Sequence, residues 1–112
     1  MNGTEKQVVW AEKIKAELIA KVGTEVEKWE SRKCKTDDLR QRADGMAAAF
    51  RKALNSYLNR KKENEAARRE DAQWWIDNRE NHFNVVHKWA MENFDKAFPK
   101  AEYEENPNYT GR

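Results

Sequence analysis

Apolar side chains recur every three or four residues along most of this chain, and very few residues interrupt them. Gly (4) and Pro (2) are scarce, and both prolines, Pro99 and Pro107, lie near the C-terminus. Apolar residues at this spacing fall on one face of an α-helix. With so few chain breakers before Pro99, the pattern predicts an all-α protein built from long amphipathic helices.

The first predicted helix begins at Thr4. Thr4 and Gln7 fit a capping box, in which each side chain hydrogen-bonds the backbone N–H of the other residue. Trp10 and Ile19 widen the apolar face that follows. Gly23 lies within the pattern, where we expect a bend or a close approach by a neighbouring helix, because Gly costs about 1 kcal/mol relative to Ala. The stripe comprises Val8, Ala11, Ile14, Leu18, Val22, Val26 and Trp29.

The second predicted helix follows a loop at residues 31–35. Thr36 is its expected N-cap, and Asp37 and Asp38 suit the positive end of the helix dipole. Gly45 and the alanines after it would allow another helix to pack closely. The stripe comprises Leu39, Ala43, Met46, Ala47, Phe50, Leu54, Tyr57 and Leu58.

The third apolar pattern follows a short polar turn at residues 63–65 and runs from Ala72 to Ala97. One long helix is the simplest interpretation, with Asn78 and Asn81 as candidate break points and Pro99 as its end. Its stripe comprises Ala72, Ile76, Arg79, Phe83, Val86, Ala90, Phe94 and Ala97.

Three amphipathic helices with short connections predict an elongated, coiled-coil-like three-helix bundle over residues 1–98. An irregular, acidic tail containing two tyrosines is expected at 99–112. Narrow apolar stripes on long helices are typical of chains that form a homodimer or dock a partner.

The residues that usually carry catalysis or bind metals are sparse. Cys34 is the only cysteine, which excludes an intrachain disulfide and suits the cytosol. It lies between two lysines that could lower its pKa, but an incidental loop cysteine is the simpler interpretation. His82 and His87 would diverge by about 140° around a helix, so they would not share a metal ion. Neither a phosphate-binding loop nor a known metal-ligand spacing occurs. We expect no enzymatic activity and no cofactor.

The N-terminus has no apolar stretch typical of a signal peptide. No run approaches the ~18 apolar residues of a membrane span. We therefore expect a cytoplasmic protein without membrane contact.

Charge is unevenly distributed along the chain, although the net charge is only +2. Residues 32–69 carry 12 basic and 5 acidic side chains, whereas residues 70–112 carry 5 basic and 9 acidic ones. A basic block can bind phosphates or an acidic protein surface. The alternative is a solvated helix face that pairs partly with the acidic tail. The block comprises Arg51, Lys52, Arg60, Lys61, Lys62, Arg68 and Arg69.

Trp74, Trp75 and Arg79 complete the predicted partner-binding set. Neighbouring residues on a helix diverge by about 100°, so Trp74 and Trp75 cannot both point inward. Trp74 is expected at a flank or exposed, where it could stack on a base, or else packed under a neighbouring helix or the tail. Arg79 occupies a core position, so it should pair with a carboxylate such as Asp44, unless the stripe opens there into a binding surface.

Two segments resemble motifs of small, largely uncharacterised helical proteins of phages and bacterial mobile elements. They are GTEKQVVWAEKI at residues 3–14 and WWIDNR at residues 74–79, about eighteen residues in all. The resemblance carries no site residues. It implies a protein that binds stoichiometrically to a host protein or a protein–nucleic-acid complex, such as an anti-CRISPR-like inhibitor of a host defence complex. The alternative function is a nucleic-acid-binding accessory protein that uses the basic block.

Overall fold

The computed structural model describes residues 1–99, and it is all-helical over that range apart from turns, loops and one isolated β-bridge. This confirms the all-α prediction. The described part is elongated, measuring 59 × 27 × 22 Å. Helix α2 packs against both α1 and α5, α1 also packs against α4, and α3 contacts α4. The helices are α1 (Glu5–Glu30), α2 (Asp37–Leu58), α3 (Glu63–Arg69), α4 (Ala72–Asp77) and α5 (His82–Ala97).

Helix α1 begins with the predicted capping box. The Thr4 hydroxyl accepts a hydrogen bond from the Gln7 backbone N–H at 3.2 Å, and the Gln7 side-chain oxygen accepts one from the Thr4 N–H at 2.9 Å. The helix continues through Gly23 for 26 residues. Of the two alternatives at Gly23, the close approach is wrong, because a Cβ added there would meet no neighbouring helix or side chain of the described part within 4 Å.

Helix α2 begins at the predicted cap, where the Thr36 hydroxyl accepts from the Leu39 N–H at 3.1 Å. A close approach does occur at Gly45, where an added Cβ would overlap the ring of Phe98 at the end of α5. Arg40 joins α2 to the end of α1 by donating to the backbone oxygens of Arg32 and Trp29, at 2.7 and 2.8 Å. It therefore adds a donor to one carbonyl in the last turn of α1 and to one in the loop that follows.

A first break lies at residues 70–72, between α3 and α4 and just before the predicted third helix begins. The Ala72 N–H donates to the Asn2 carbonyl at 2.8 Å instead of to a carbonyl one helical turn earlier. The Asn2 N–H in turn donates to the Glu70 carbonyl at 2.5 Å, so the segment before α1 pairs with this stretch. The Asp71 carboxylate then accepts from the Gln73 N–H at 3.1 Å and caps α4.

The prediction of one long third helix over residues 72–97 is wrong, because a second break separates α4 from α5 at residues 78–81. Both asparagines named as candidate break points lie in this turn: the Asn78 side chain donates to the Trp74 carbonyl at 2.9 Å, and the Asn81 N–H donates to the Asn78 carbonyl at 2.8 Å. The Trp75 carbonyl accepts from the His82 ring at 2.9 Å, whereas a continuous helix would pair it with the Arg79 N–H. A side chain therefore replaces a backbone donor at this break.

The core lies where α1, α2, α4 and α5 meet. Phe50 is 1% exposed and Trp75 is 0% exposed, so α2 and α4 contribute its largest side chains. The buried apolar residues are Ala11, Ile14, Leu18, Val22 and Val26 of α1; Ala43, Met46, Ala47, Ala49, Phe50, Ala53 and Tyr57 of α2; and Ala72, Trp75, Ile76, Val86 and Ala90 of α4 and α5.

Arg79 is not a core residue, which corrects the predicted pair with Asp44. Asp44 instead forms an ion pair with Arg40, with 2.8 Å between the charged atoms. Arg79 is exposed, and its guanidinium donates to the Ile76 carbonyl at 2.9 Å and lies 5.4 Å from the centre of the Trp10 ring. The α4–α5 turn takes Arg79 off the stripe, because residues in a turn no longer follow the helical period.

No helix between residues 1 and 99 has the length and apolar character needed to cross a bilayer. The predicted irregular tail covers residues 99–112, and all of it after Pro99 lies outside the described residues.

Candidate functional site

A groove of about 500 Å³ lies where α2 ends and α3 begins. We call it the basic groove, because four of the seven residues of the predicted basic block line it. They are Lys52, Arg60, Lys61 and Lys62. The rest of its lining is polar and consists of Asn55, Ser56, Asn59 and Glu65. The groove therefore combines positive charge with neutral hydrogen-bonding groups.

The ends of two helices concentrate this charge. Helix α2 ends at Leu58, Asn59 caps it, and Lys62 precedes the first residue of α3. Arg60, Lys61 and Lys62 thus form the connection, just beyond the negative end of the α2 dipole, where cations are favoured. Lys52 lies two helical turns before Arg60 and joins them at the groove.

Arg60 is held by several contacts. Its guanidinium binds both carboxylate oxygens of Glu65 at 3.0 and 3.4 Å, and it lies 4.8 Å from the centre of the Trp89 ring. This hydrogen bonding lowers the pKa of Glu65. Lys52, Lys61 and Lys62 are exposed and form no ion pair with any residue of the described part. They supply the uncompensated charge of the groove.

The other three members of the basic block lie elsewhere. Arg51 pairs with Glu30 of α1 at 2.7 Å, and Arg68 is exposed on α3 outside the groove. Arg69 points inward, donates to the Tyr57 carbonyl at 2.8 Å, and covers the rings of Tyr57 and Trp74 at 4.5 and 4.6 Å. Its role is therefore to hold α3 against α2 and α4.

Five side chains from α2, α4 and α5 form a second cluster, the aromatic centre: Tyr57, Trp74, Trp75, His82 and Trp89. His82 Nε2 lies 2.9 Å from the Trp75 carbonyl oxygen, and Nδ1 lies 2.5 Å from the Tyr57 hydroxyl. A carbonyl only accepts, so Nε2 carries the proton and Nδ1 accepts from Tyr57. The Trp75 indole N–H donates to the Arg69 carbonyl at 3.0 Å.

The aromatic centre is neutral near pH 7. Burial lowers the pKa of His82, the hydrogen bond to the Trp75 backbone opposes this, and the charge of Arg69 adds to the lowering. Burial raises the pKa of Tyr57 to about 12, while Arg69 opposes the rise. A Tyr–His pair could transfer protons in an open site, but His82 is 2% and Tyr57 3% exposed. The pair therefore joins three helices, and both of its rings are almost fully removed from solvent.

The positions of the two neighbouring tryptophans follow from this arrangement. Trp75 is 0% exposed, which corrects its inclusion among partner-contacting residues. Trp74 is half-buried between Arg69 and His82, so it packs within the fold instead of standing free for base stacking. The sequence did not reveal the role of His82, because its partner Tyr57 lies 25 residues away on another helix.

Arg79 belongs to a different surface, a groove of about 440 Å³ between α1 and the start of α5, which we call the Trp10 groove. Trp10 is 47% exposed there, and the adjacent Val9 is 66% exposed. Lys21 lies 4.3 Å from the centre of the Phe83 ring in the same groove. Apolar rings with a cation near each make this a surface that could dock another protein.

Neither groove is built as a metal centre. Across residues 1–99 no group of three or more His, Cys, Asp or Glu side chains could hold a metal ion. Cys34 is half-buried in the α1–α2 loop, with its thiol 3.5 Å from the Arg32 carbonyl.

No protein-family model matches this chain, and no curated protein or solved structure shows significant similarity to it.

Proposed function

We propose that this chain is a non-catalytic binding protein whose basic groove contacts the phosphate backbone of a nucleic acid. The observation that carries the proposal is the convergence of Lys52, Arg60, Lys61 and Lys62 on one groove, with three of the four exposed and outside any described ion pair. Phosphate contacts by such cations release counterions and supply most of the affinity for nucleic acid in a sequence-independent way.

The neutral lining supports the same ligand. Phosphate and sugar oxygens commonly accept hydrogen bonds from Asn and Ser side chains, and Asn55, Ser56 and Asn59 lie among the cations. Glu65 opposes binding through its own charge. A phosphate that displaced it would gain a fork-shaped, bidentate partner in Arg60.

The sign of the charge bears on the alternatives. An inhibitor that occupied the nucleic-acid channel of a host complex would need negative charge there, because such channels are positive. The basic groove has the opposite sign, which favours direct contact with nucleic acid, as in the accessory-protein hypothesis.

A second candidate function is supported by the Trp10 groove. An anti-CRISPR-like inhibitor from a phage or mobile element would bind a host protein, and exposed Trp side chains are enriched at the energetic centres of protein interfaces. Exposure of Val9 and Trp10 on one helix favours this candidate. Here Trp10→Ala would abolish inhibition of a defence nuclease, while Lys61→Ala/Lys62→Ala would leave it intact.

The first proposal is tested by fluorescence anisotropy with labelled DNA and RNA at several salt concentrations. We expect Lys61→Ala/Lys62→Ala to weaken binding and to reduce the slope of log K against log salt by about 1.4 to 1.8, depending on strandedness. Lys13→Ala/Lys28→Ala is the matched control, because it removes the same charge from exposed positions on α1. Absence of binding at low salt, or equal losses in both double variants, would overturn the proposal.

A further inference from the structure

A smaller depression of about 300 Å³ adjoins the basic groove. The two share Lys52, Ser56 and Arg60. We call this depression the Trp89 recess. The rest of its lining comes from Ala53 of α2 and from Trp89, Glu92 and Asn93 of α5. Arg60 is thus the boundary between a cationic surface and one of mixed chemistry.

Two flat, polarisable groups, the Arg60 guanidinium and the Trp89 ring, lie at the boundary between the basic groove and the Trp89 recess. The Arg60 guanidinium lies 4.8 Å from the centre of the half-buried Trp89 ring, and Glu65 fixes its orientation. Guanidinium planes and aromatic rings are the surfaces on which proteins stack unpaired bases. A planar ligand that entered the recess would therefore meet Trp89 and Arg60.

The recess is less positive than the basic groove, because Glu92 offsets one of the two cations that line it. The exposed Glu92 carboxylate would repel a backbone phosphate, but it can accept hydrogen bonds from amino groups on base edges. Asn93 adds an amide that can both donate and accept. The lysines of the basic groove are suited to phosphate. The basic groove therefore suits the phosphate of a nucleotide, and the Trp89 recess suits its base.

From this division we infer that the Trp89 recess binds one unpaired nucleobase while the basic groove binds the adjoining phosphates, so that the site prefers single-stranded nucleic acid to duplex. The inference rests on the proposed function, because the recess is useful only if the backbone lies in the basic groove. In a duplex the bases are paired and stacked inside, where the recess cannot reach them.

The test compares a single-stranded oligonucleotide with an abasic strand of the same length and charge, each as DNA and as RNA, by fluorescence anisotropy. We expect the base-bearing strand to bind at least about fivefold more tightly than the abasic strand, the lower end of one stacked base. We also expect it to bind more tightly than a duplex of the same length.

Variants locate the effect. We expect Glu92→Ala/Asn93→Ala to lower the ratio of base-bearing to abasic affinity without changing the salt slope, because the base edge loses its hydrogen-bond partners while Trp89 and Arg60 remain to stack on it. Glu80→Ala/Asn84→Ala is the matched control, because both residues are exposed and lie outside both depressions. Thermal unfolding followed by circular dichroism checks that both double variants are folded.

The outcomes separate the two proposals. Equal binding of the base-bearing and abasic strands, or a duplex bound as tightly as the single strand, would overturn the base site and leave phosphate binding standing. An equal gain in affinity for both strands in Glu92→Ala/Asn93→Ala would also overturn it, since Glu92 would then face the backbone. Failure of every strand to bind at low salt would refute the proposed function itself.

Discussion

Replacing His82 with leucine removes the side chain that joins α2, α4 and α5 at the aromatic centre. The Tyr57 hydroxyl and the Trp75 carbonyl would each lose a hydrogen-bond partner in a buried place. A buried polar group left without a partner costs about 1–3 kcal/mol. Two such groups amount to about 2–6 kcal/mol, and the apolar leucine side chain offsets part of this. We expect His82→Leu to lower the free energy of unfolding by about 3–4 kcal/mol.

Urea unfolding followed by far-UV circular dichroism measures this loss. The variant Tyr57→Phe removes the hydroxyl and leaves His82 Nδ1 without its donor, so it should also destabilise the fold. In the double variant neither the hydroxyl nor the imidazole remains to be left unpaired across this bond. We therefore expect the double variant to lose less than the sum of the single losses, with a coupling of about 0.5–3 kcal/mol.

The pH dependence gives a second readout of the same bond. The pKa of His82 is lowered in the folded state from its ordinary value of 6.5, so the unfolded chain takes up the proton first as the pH falls. The stabilising contribution is complete above pH 6.5 and is lost as the pH falls from there to the lowered pKa. The slope contributed by one proton is at most about 1.4 kcal/mol per pH unit.

We expect this acid-dependent component to be missing from His82→Leu, in which the other titrating groups are unchanged. Two results together would refute the reasoning. The free energy of unfolding of His82→Leu would lie within 0.5 kcal/mol of the parent, as for an ordinary surface substitution, and its dependence on pH between 4 and 7 would run parallel to that of the parent. His82 would then not hold the α4–α5 break through these two hydrogen bonds.

Three further substitutions test the packing. Gly23→Ala should raise the free energy of unfolding by up to about 1 kcal/mol, because the added Cβ meets nothing and Ala favours the helix. Thermal unfolding of both glycine variants should show Gly45→Ala to be less stable than Gly23→Ala, because the added Cβ at position 45 displaces the ring of Phe98. Equal stabilities would contradict the close approach of Phe98 to Gly45. Phe50→Ala should cost about 3–5 kcal/mol in urea unfolding, as for a fully buried aromatic, and near-parental stability would mean that Phe50 is not a core residue.

The candidate site was only partly predictable from the sequence. The charge density of residues 32–69 identified the basic block, but four of its seven members line the basic groove. Arg51 and Arg69 are engaged by Glu30 and by Tyr57, which lie 21 and 12 residues away in the chain. A count of charges cannot distinguish a solvated cation from one held by a distant carboxylate or carbonyl. Trp89, Glu92 and Asn93 were missed because only the packing of α5 against α2 brings them to the Trp89 recess, beside the basic groove.

Local signals, by contrast, determined where α1 and α2 begin and the all-α class. The caps at Thr4 and Thr36 act over three residues, and the apolar stripes of α1 and α2 repeat within one helical turn, so the chemistry that selects them is complete within a short stretch of sequence. The third stripe carried the same signal and still did not form one helix. It is interrupted after α4, where the His82 side chain takes the Trp75 carbonyl.

Only the tertiary structure decided that the chain does break at the candidate asparagines, Asn78 and Asn81, and with the break the exposure of Arg79. Helical periodicity records which face of a segment is apolar, but it does not record whether a donor from another part of the chain will take a carbonyl from the helix. The Trp75 carbonyl is taken by His82, whose ring also binds Tyr57, 25 residues away on α2.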